Sequence, residues 1–382
     1  MKFLHLSDLH IGKSVNGFSM LEEQVNAFRQ VYDYIDAERP DAVLIAGDVY
    51  DRSVPGVEAV RVFDDFLTEL VNKDVVILIV SGNHDSPERM NYASRLLTEK
   101  KLYICGAFDG QPQKVTLTDE YGEVDFWLLP FIKPLSVRGM FGEREAESYT
   151  DAVSAALGGA GIDYNRRNVL VSHQFYTKTG IEPIRSESES NPVGGLDAVD
   201  AGVIERFDYA ALGHLHGSQT LGSEHIRYAG SPVKYSFSEC RQKKSVTLIE
   251  LKAKGGVSVT DLPLAPIHDM REIKGELLAL TSKEIVESAD KDDYLRVILT
   301  DEGEIIDAFG KIRSVYPNVM ALQIENSHTS IDRSEIIADS EGISALSPYE
   351  LFSEFFLRVN GSTLSESQIE IVRTLLETEN SL

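Results

Sequence analysis

The sequence predicts an α/β protein in which two stacked sheets flanked by helices are followed by a small second domain and a helical hairpin. Strand-like and helix-like apolar runs alternate as far as Lys100, and strand-like runs dominate after it. The texture changes again at Pro263 and Pro266. Lys2–Leu6 is a short apolar strand, and Leu21, Val25, Phe28, Tyr32 and Ile35 recur at helical spacing. Ala42–Ala46 is wholly apolar. Val57, Val60, Phe63 and Leu67 mark one face of a helix over Val57–Val71, and the β-branched run Val75–Val80 reads as a buried central strand. A βαβαβ order implies parallel strands joined by right-handed crossovers. Lys114–Leu117, Val124–Leu129, Asn168–Val171, Tyr209–Leu212, Ile226–Ala229 and Val246–Leu251 supply further strands.

Arg271–Asn326 reads as strand, helix, strand, helix, strand, with Thr281 and Glu284 as a capping box and Tyr294–Thr300 and Met320–Glu325 as the later strands. A polar, weakly patterned stretch follows. Ser347, Pro348 and Glu350 then open an apolar helix, and Ser365 with Gln368 repeats the cap for a last one. Phe352, Phe355, Phe356 and Val359 on the first helix, and Ile369, Val372, Leu375 and Leu376 on the second, form stripes that two helices cannot bury alone. The predicted units are therefore 1–266, a small α+β domain over 267–330, a linker over 331–346 and a hairpin over 347–382. Ser186–Ser190, followed by Gly194 and Gly195, reads as a flexible loop.

With 42% hydrophobic and 26% charged residues, the composition is that of a soluble globular protein. No window is apolar enough for a membrane helix, and Met1–Asp8 lacks the unbroken apolar core of a signal peptide, so a cytoplasmic protein with no membrane contact is expected. Cys105 and Cys240 are far apart and show no metal-type spacing, as buried thiols of a reducing compartment would. The net charge of −24 excludes a chain that grips nucleic acid through a general basic surface. Residues 269–382 carry 23 acidic and 10 basic side chains, against 38 and 27 for residues 1–268. A polyanionic substrate would need local basic loops, bound divalent cations or a partner for its attraction.

Five polar clusters each follow directly on an apolar strand: Asp8-Leu9-His10, Gly47-Asp48-Val49-Tyr50-Asp51, Gly82-Asn83-His84-Asp85, Ser172-His173-Gln174 and Gly213-His214-Leu215-His216-Gly217. Carboxyl ends of strands in open α/β sheets form the rim where ligands bind. Taken singly, most have ordinary explanations, such as a loop cap for Asp8, a turn for Gly47-Asp48 or a satisfied core histidine for His173. Asn83-His84-Asp85 is harder to explain away, because three polar residues after a buried strand must find partners or solvent. His214 and His216, two apart on an extended segment, share a side and can face adjacent metals. Five of the nine histidines fall in these clusters, and imidazole with carboxylate suits manganese, iron or zinc better than magnesium.

This ordered set resembles the calcineurin-like metallophosphoesterases. Three longer stretches, Asn83-His84-Asp85-Ser86-Pro87-Glu88-Arg89, Gly194–Asp200 before Ala211-Leu212-Gly213-His214, and Tyr228-Ala229-Gly230-Ser231-Pro232, extend the resemblance over essentially the whole chain to the SbcD family of nuclease subunits. The resemblance implies a four-layered α/β/β/α metallophosphoesterase domain, a small α+β capping domain and a C-terminal helical hairpin that docks on an SbcC-like SMC-family ATPase. It also implies two manganese ions per chain, DNA as substrate, and a homodimer within a heterotetramer. Asp8, His10, Asp48 and His216 would hold the first metal, and Asp48, Asn83, His173 and His214 the second. A shared carboxylate at Asp48 would offset the repulsion of two cations about 3.5–4 Å apart. His84 would contact the phosphate or protonate the leaving oxygen, with Asp85 either orienting that imidazole or capping a turn. Arg52 and Arg89 are candidate DNA contacts. Archaeal and eukaryotic relatives carry a histidine where this chain has Asp51-Arg52, so the strand-orienting role of that histidine does not carry over.

Three functions compete at this point. The resemblance implies duplex exonuclease action and endonuclease action on single strands and hairpins, together with an ATPase. The acidic charge favours a stand-alone phosphatase or small-molecule phosphodiesterase, which would have no need of a second domain and hairpin. A metal-stabilised scaffold that binds without cleaving has no evident use for His84 beside the metals.

Overall fold

The computed structural model of the chain describes residues 1–141, 146–181, 183–189, 197–326, 348–360, 363–365 and 368–372. The predicted linker over 331–346 lies outside them, as do Ser190, Gly194, Gly195, Ser347, Leu375 and Leu376. The chain divides into two compact units, Met1–Met270 and Arg271–Leu382.

Two six-stranded sheets form the centre of the first unit. One runs in the order Val257–Pro263, Ser245–Leu251, Lys2–Leu6, Ala42–Ala46, Val76–Val80, Leu102–Cys105, and its last four strands are parallel. The other runs Gln219–Thr220, Ile226–Tyr228, Tyr209–Leu212, Arg167–Ser172, Gly122–Leu129, Gln113–Asp119, with its middle four strands parallel. Alternate residues of facing strands, among them Phe3, Leu44, Leu78, Phe126, Val169 and Tyr209, meet in a buried layer between the sheets. The opposite faces are covered by helices, which is why Ala42–Ala46 is buried at every position rather than alternately. Leu21–Glu38 and Val57–Asn72 cover the first sheet, with Phe28 stacked on Phe66 at 4.1 Å. Tyr149–Gly159 opens on a complete Ser148–Asp151 capping box and buries Ala152, Val153, Ala156 and Leu157 against the second sheet. The layers are therefore α/β/β/α. Leu102–Cys105, Val257–Pro263 and Gln219–Thr220, absent from the prediction, are edges of the two sheets, where one side of the strand has no partner and the apolar signal is weakest.

In the second unit, Met270–Gly275, Tyr294–Leu299 and Val319–Ile324 form a three-stranded sheet, alternating with short helices in the predicted order. Leu277, Leu280, Leu295, Val297, Leu299, Ile312 and Tyr316 are its core. The capping box expected at Thr281 is absent. Thr281 instead terminates the Leu277–Leu280 helix, its hydroxyl donating to the Leu277 carbonyl at 2.8 Å, and the next helix starts after Ser282. Pro348–Asn360 is helical from its proline onward, with Phe352 and Phe355 40% and 62% exposed, and residues 368–372 are helical with the Ser365 amide bonded to Gln368.

Phe126 is fully buried between the sheets and meets Phe3 edge-on at 5.7 Å. Truncating it to alanine is expected to destabilise the first unit by about 3–5 kcal/mol. The measurement is a lowered urea midpoint at unchanged slope.

Candidate metal centre at the rim of the two sheets

The five clusters converge. Lys2–Leu6, Ala42–Ala46 and Val76–Val80 deliver Asp8, His10, Asp48, Asn83 and His84 from one sheet, while Arg167–Ser172 and Tyr209–Leu212 deliver His173, His214 and His216 from the other. His10 Nε2 and His216 Nε2 face each other at 3.1 Å. His173 Nε2 stands 3.2 Å from Asp48 Oδ2, and Asn83 Oδ1 lies 3.1 Å from both His173 Nε2 and His214 Nδ1. Three sets of side chains have ligand atoms mutually within 4.8 Å: Asp8, His10 and His216; Asp8, Asp48 and His173; and His10, Asp48 and His84. Among these residues Asn83 and His84 are partly exposed and the rest are buried.

The backbone at the rim is unusual. Asp8, His10, Asp48 and His214 all have positive φ, between 42° and 104°, a region that costs a residue with a side chain roughly 1–3 kcal/mol. Main-chain bonds between the two post-strand loops hold them there, with Asp8 donating to Gly47 O at 3.0 Å and His10 to Asp48 O at 2.9 Å. His214 is fixed by its amide, which donates to both carboxylate oxygens of Asp8 at 3.0 and 3.1 Å. The extended geometry expected for His214-Leu215-His216 is thus replaced by a bend at His214, and the two imidazoles face different neighbours, His214 toward Asn83 and His216 toward His10. Gly213 is required by contact, since a Cβ there would collide with the Ala46 carbonyl and the His173 ring.

The donor set fits a cation. His173 Nδ1 donates to the Ala46 carbonyl at 2.7 Å, so Nε2 presents its lone pair toward two oxygen acceptors. Only positive charge makes such a meeting favourable. Burial alone would raise the Asp48 carboxyl, but the imidazoles of His173, His10 and His84 outweigh it and hold Asp48 below the carboxylate range. Burial drives His10 well down and His214 to about 3, leaving both neutral and able to ligate. Asp8 is raised by its burial.

The residues at the margin divide differently. His84 Nδ1 donates to the Asp51 carbonyl at 3.0 Å, and its amide to Asp48 Oδ1 at 2.8 Å. Asp85 does not orient that imidazole. Its carboxylate instead accepts the amides of Val49, Tyr50 and Gly82 at 3.1, 3.0 and 2.9 Å, clamping the Asp48 loop to the Asn83 loop. Arg52 is 82% exposed beside Asp51, and Arg89 is exposed.

Several residues at the site escaped the sequence. Gln24, from a helix, donates to the carbonyls of Leu9 and His10, and the Tyr235 hydroxyl also donates to Leu9 O. Arg185 stacks its guanidinium 3.8 Å over the Phe175 ring, and its charge is one of the influences that lower His214. Within the segment read as a flexible loop, of which Ser190, Gly194 and Gly195 lie outside the described residues, Ser188 stands 2.7 Å from His216 Nδ1 and Glu189 accepts the His216 amide at 2.7 Å. Only a repeated Ser-Glu pattern marked this segment, and it names no partner.

The family description "Calcineurin-like phosphoesterase" matches residues 1–218, and "Type 5 capsule protein repressor C-terminal domain" matches residues 266–360. The SbcD component of the SbcCD nuclease of Staphylococcus epidermidis is 30% identical over 381 residues, covering 98% of each chain. Its counterpart in Staphylococcus saprophyticus is 31% identical over 392 residues and covers both chains fully. The chain belongs to the SbcD family of calcineurin-like phosphoesterases. Membership makes it a metal-dependent phosphodiester hydrolase with a nuclease role, and the clustered donors are suited to divalent metals.

Gly213→Ala is expected to displace His173 and to lower both metal content and hydrolysis, measurable by elemental analysis and turnover together. A second expectation concerns protons. Without a cation, burial opposes charge on His173, but Asp48 and Asp8 outweigh it and push the imidazole up to about 9 from 6.5. Its stabilising share in metal-stripped protein is complete below about pH 6.5 and is lost as pH rises through about 9. A divalent cation added at pH 8 should therefore release about one proton per chain. Calorimetry in two buffers of different ionisation heat reads that number, and no release would mean a neutral His173.

Proposed function

We propose that the chain is a manganese-dependent DNA nuclease with a two-metal centre, acting on duplex ends as an exonuclease and on single strands and hairpins as an endonuclease. The observation that carries this reading is the convergence of seven donors from both sheets on one rim, in a chain that matches SbcD nucleases over its full length. Asp8, His10, Asp48 and His216 would hold one cation and Asp48, Asn83, His173 and His214 the other, with Asp48 shared. Bound there, the cations would draw charge from the scissile phosphate and lower the pKa of a water beside it. The chain's own groups do the rest. His84, with Nδ1 committed to the Asp51 carbonyl, keeps Nε2 for the phosphate or the leaving oxygen. Arg52 and Arg89 stand by location as phosphate contacts, and Arg185 joins them beside His214.

The names of the relatives point to a partner protein. In our reading the chain works in the cytoplasm as a homodimer within a heterotetramer with an SbcC-like SMC-family ATPase, processing DNA ends in repair, recombination and replication. The domains divide at about residue 266, with a capping domain to 330, a linker to 346 and a docking hairpin beyond it. The exposed Phe352 and Phe355 support the docking role. The net charge of −24 fits a protein that relies on cations and a partner to hold DNA.

The defining experiment is cleavage of end-labelled hairpin DNA by the purified chain, with manganese or magnesium and with or without the ATPase and ATP. Activity confined to a chromogenic phosphodiester would favour a stand-alone phosphatase or small-molecule phosphodiesterase. Asp48→Ala is expected to lose both cations and cleavage, by about 10²-fold or more, whereas His84→Ala should keep both cations and lose turnover. Metal loss in His84→Ala would make it a ligand.

A further inference from the structure

His173 and His216 serve the centre from the same sheet, but their second nitrogens are anchored in unlike ways. His173 Nδ1 is bound to a strand carbonyl, which no side-chain substitution removes. His216 Nδ1 rests on the hydroxyl of Ser188 at 2.7 Å. That hydroxyl donates in turn to Glu239 Oε1 at 2.6 Å. Glu239 is fully buried. Burial pushes its carboxyl up, but the buried Lys244 ammonium, 2.7 Å from Oε2, outweighs this and keeps it ionised. An ionised carboxylate can only accept, so Ser188 spends its proton on Glu239 and must accept from His216. Nδ1 of His216 is then the protonated nitrogen, and Nε2 presents its lone pair toward His10.

The relay is braced at both ends. The Lys244 ammonium also lies 2.8 Å from the His216 carbonyl, 2.9 Å from Ser231 Oγ and 2.8 Å from Gln242 Oε1, so its three hydrogens are shared among four acceptors. Around Ser188, Ile184 exchanges two bonds with the Gln219 side chain at 2.9 and 2.8 Å, and the Glu187 amide donates to Ser238 Oγ at 3.0 Å. We infer that Ser188, held by Glu239 and Lys244, is a positioning residue that fixes His216 as an Nε2 ligand and sets the affinity of one cation of the pair. This rests on the two-cation reading above. The second cation has no part in the relay, because His173 and His214 are oriented by the Ala46 carbonyl and by the Asp8 carboxylate on the His214 amide.

The test is manganese titration of the metal-stripped full chain, with free manganese followed by its electron paramagnetic resonance signal. Wild type should show two classes of site. Ser188→Ala should weaken one class by about 10–100-fold, the range for losing a ligand's hydrogen-bonding partner, and leave the other unchanged. Ser188→Thr keeps the hydroxyl and should bind within about threefold of wild type, a small fraction of that range. The melting temperature of stripped Ser188→Ala should stay within about 2 °C of wild type, separating orientation from loss of fold. Unchanged affinities in Ser188→Ala, equal weakening of both classes, or a Ser188→Thr protein as weak as Ser188→Ala would overturn the relay while leaving two cations in place. A single class in wild type would instead overturn the two-cation reading.

Discussion

One hydrogen bond ties the two sheets together where the chemistry is placed. His173 follows the last strand residue of one sheet, and its Nδ1 donates to the carbonyl of Ala46, the last residue of a strand in the other. The bond fixes the tautomer of His173 and the separation of the sheets at the rim, and so the distance from His173 to Asp48. Gly213 exists as a glycine because this contact leaves no room for a side chain. The positive φ angles of Asp8, His10 and Asp48 belong to the same arrangement, since the two loops bend back and bond to each other just above it. A rim closed in this way excludes water from most of the donors and raises the demand for positive charge among them.

What was legible in the sequence was whatever obeys a short period or a short spacing. Apolar runs gave the central strands, and the polar cluster after each gave the donors, because a strand end fixes the direction of the next few residues. His84 stood out for the same reason. Asp85 was readable as polar but not as a clamp on three amides, since its partners Val49 and Tyr50 lie on a different loop. The bend at His214 was hidden because nothing local favours positive φ there, and the Asp8 carboxylate that accepts its amide lies some 200 residues away in the chain. Ser188, Glu239 and Lys244 were invisible because a relay assembled by tertiary folding leaves no spacing to count. Thr281 shows the opposite failure, in which a sound local signal for starting a helix was used to stop one.

The acidic net charge is less of a contradiction once the site is seen locally. The carboxylates of Asp8 and Asp48 are buried among imidazoles, so their charge is offset within the site rather than spread over the surface. Near the centre, Arg185 over the Phe175 ring contributes positive charge beside His214. Field at this range is set by neighbours and burial, whereas exposed acidic groups further away than a Debye length, about 8 Å at physiological salt, are largely screened.

The place of the first strand also bears on synthesis. Lys2–Leu6 lies between Ala42–Ala46, which is made early, and Ser245–Leu251, which is made late. During translation this strand can pair on one side only, and its other edge stays open until Ser245–Leu251, more than 200 residues further along, has been made. An unpaired edge next to a hydrophobic face is an aggregation hazard in a nascent chain. The same interleaving means that a prematurely terminated product lacking His214 and His216 carries Asp8 and His10 without the donors that the second sheet brings to them.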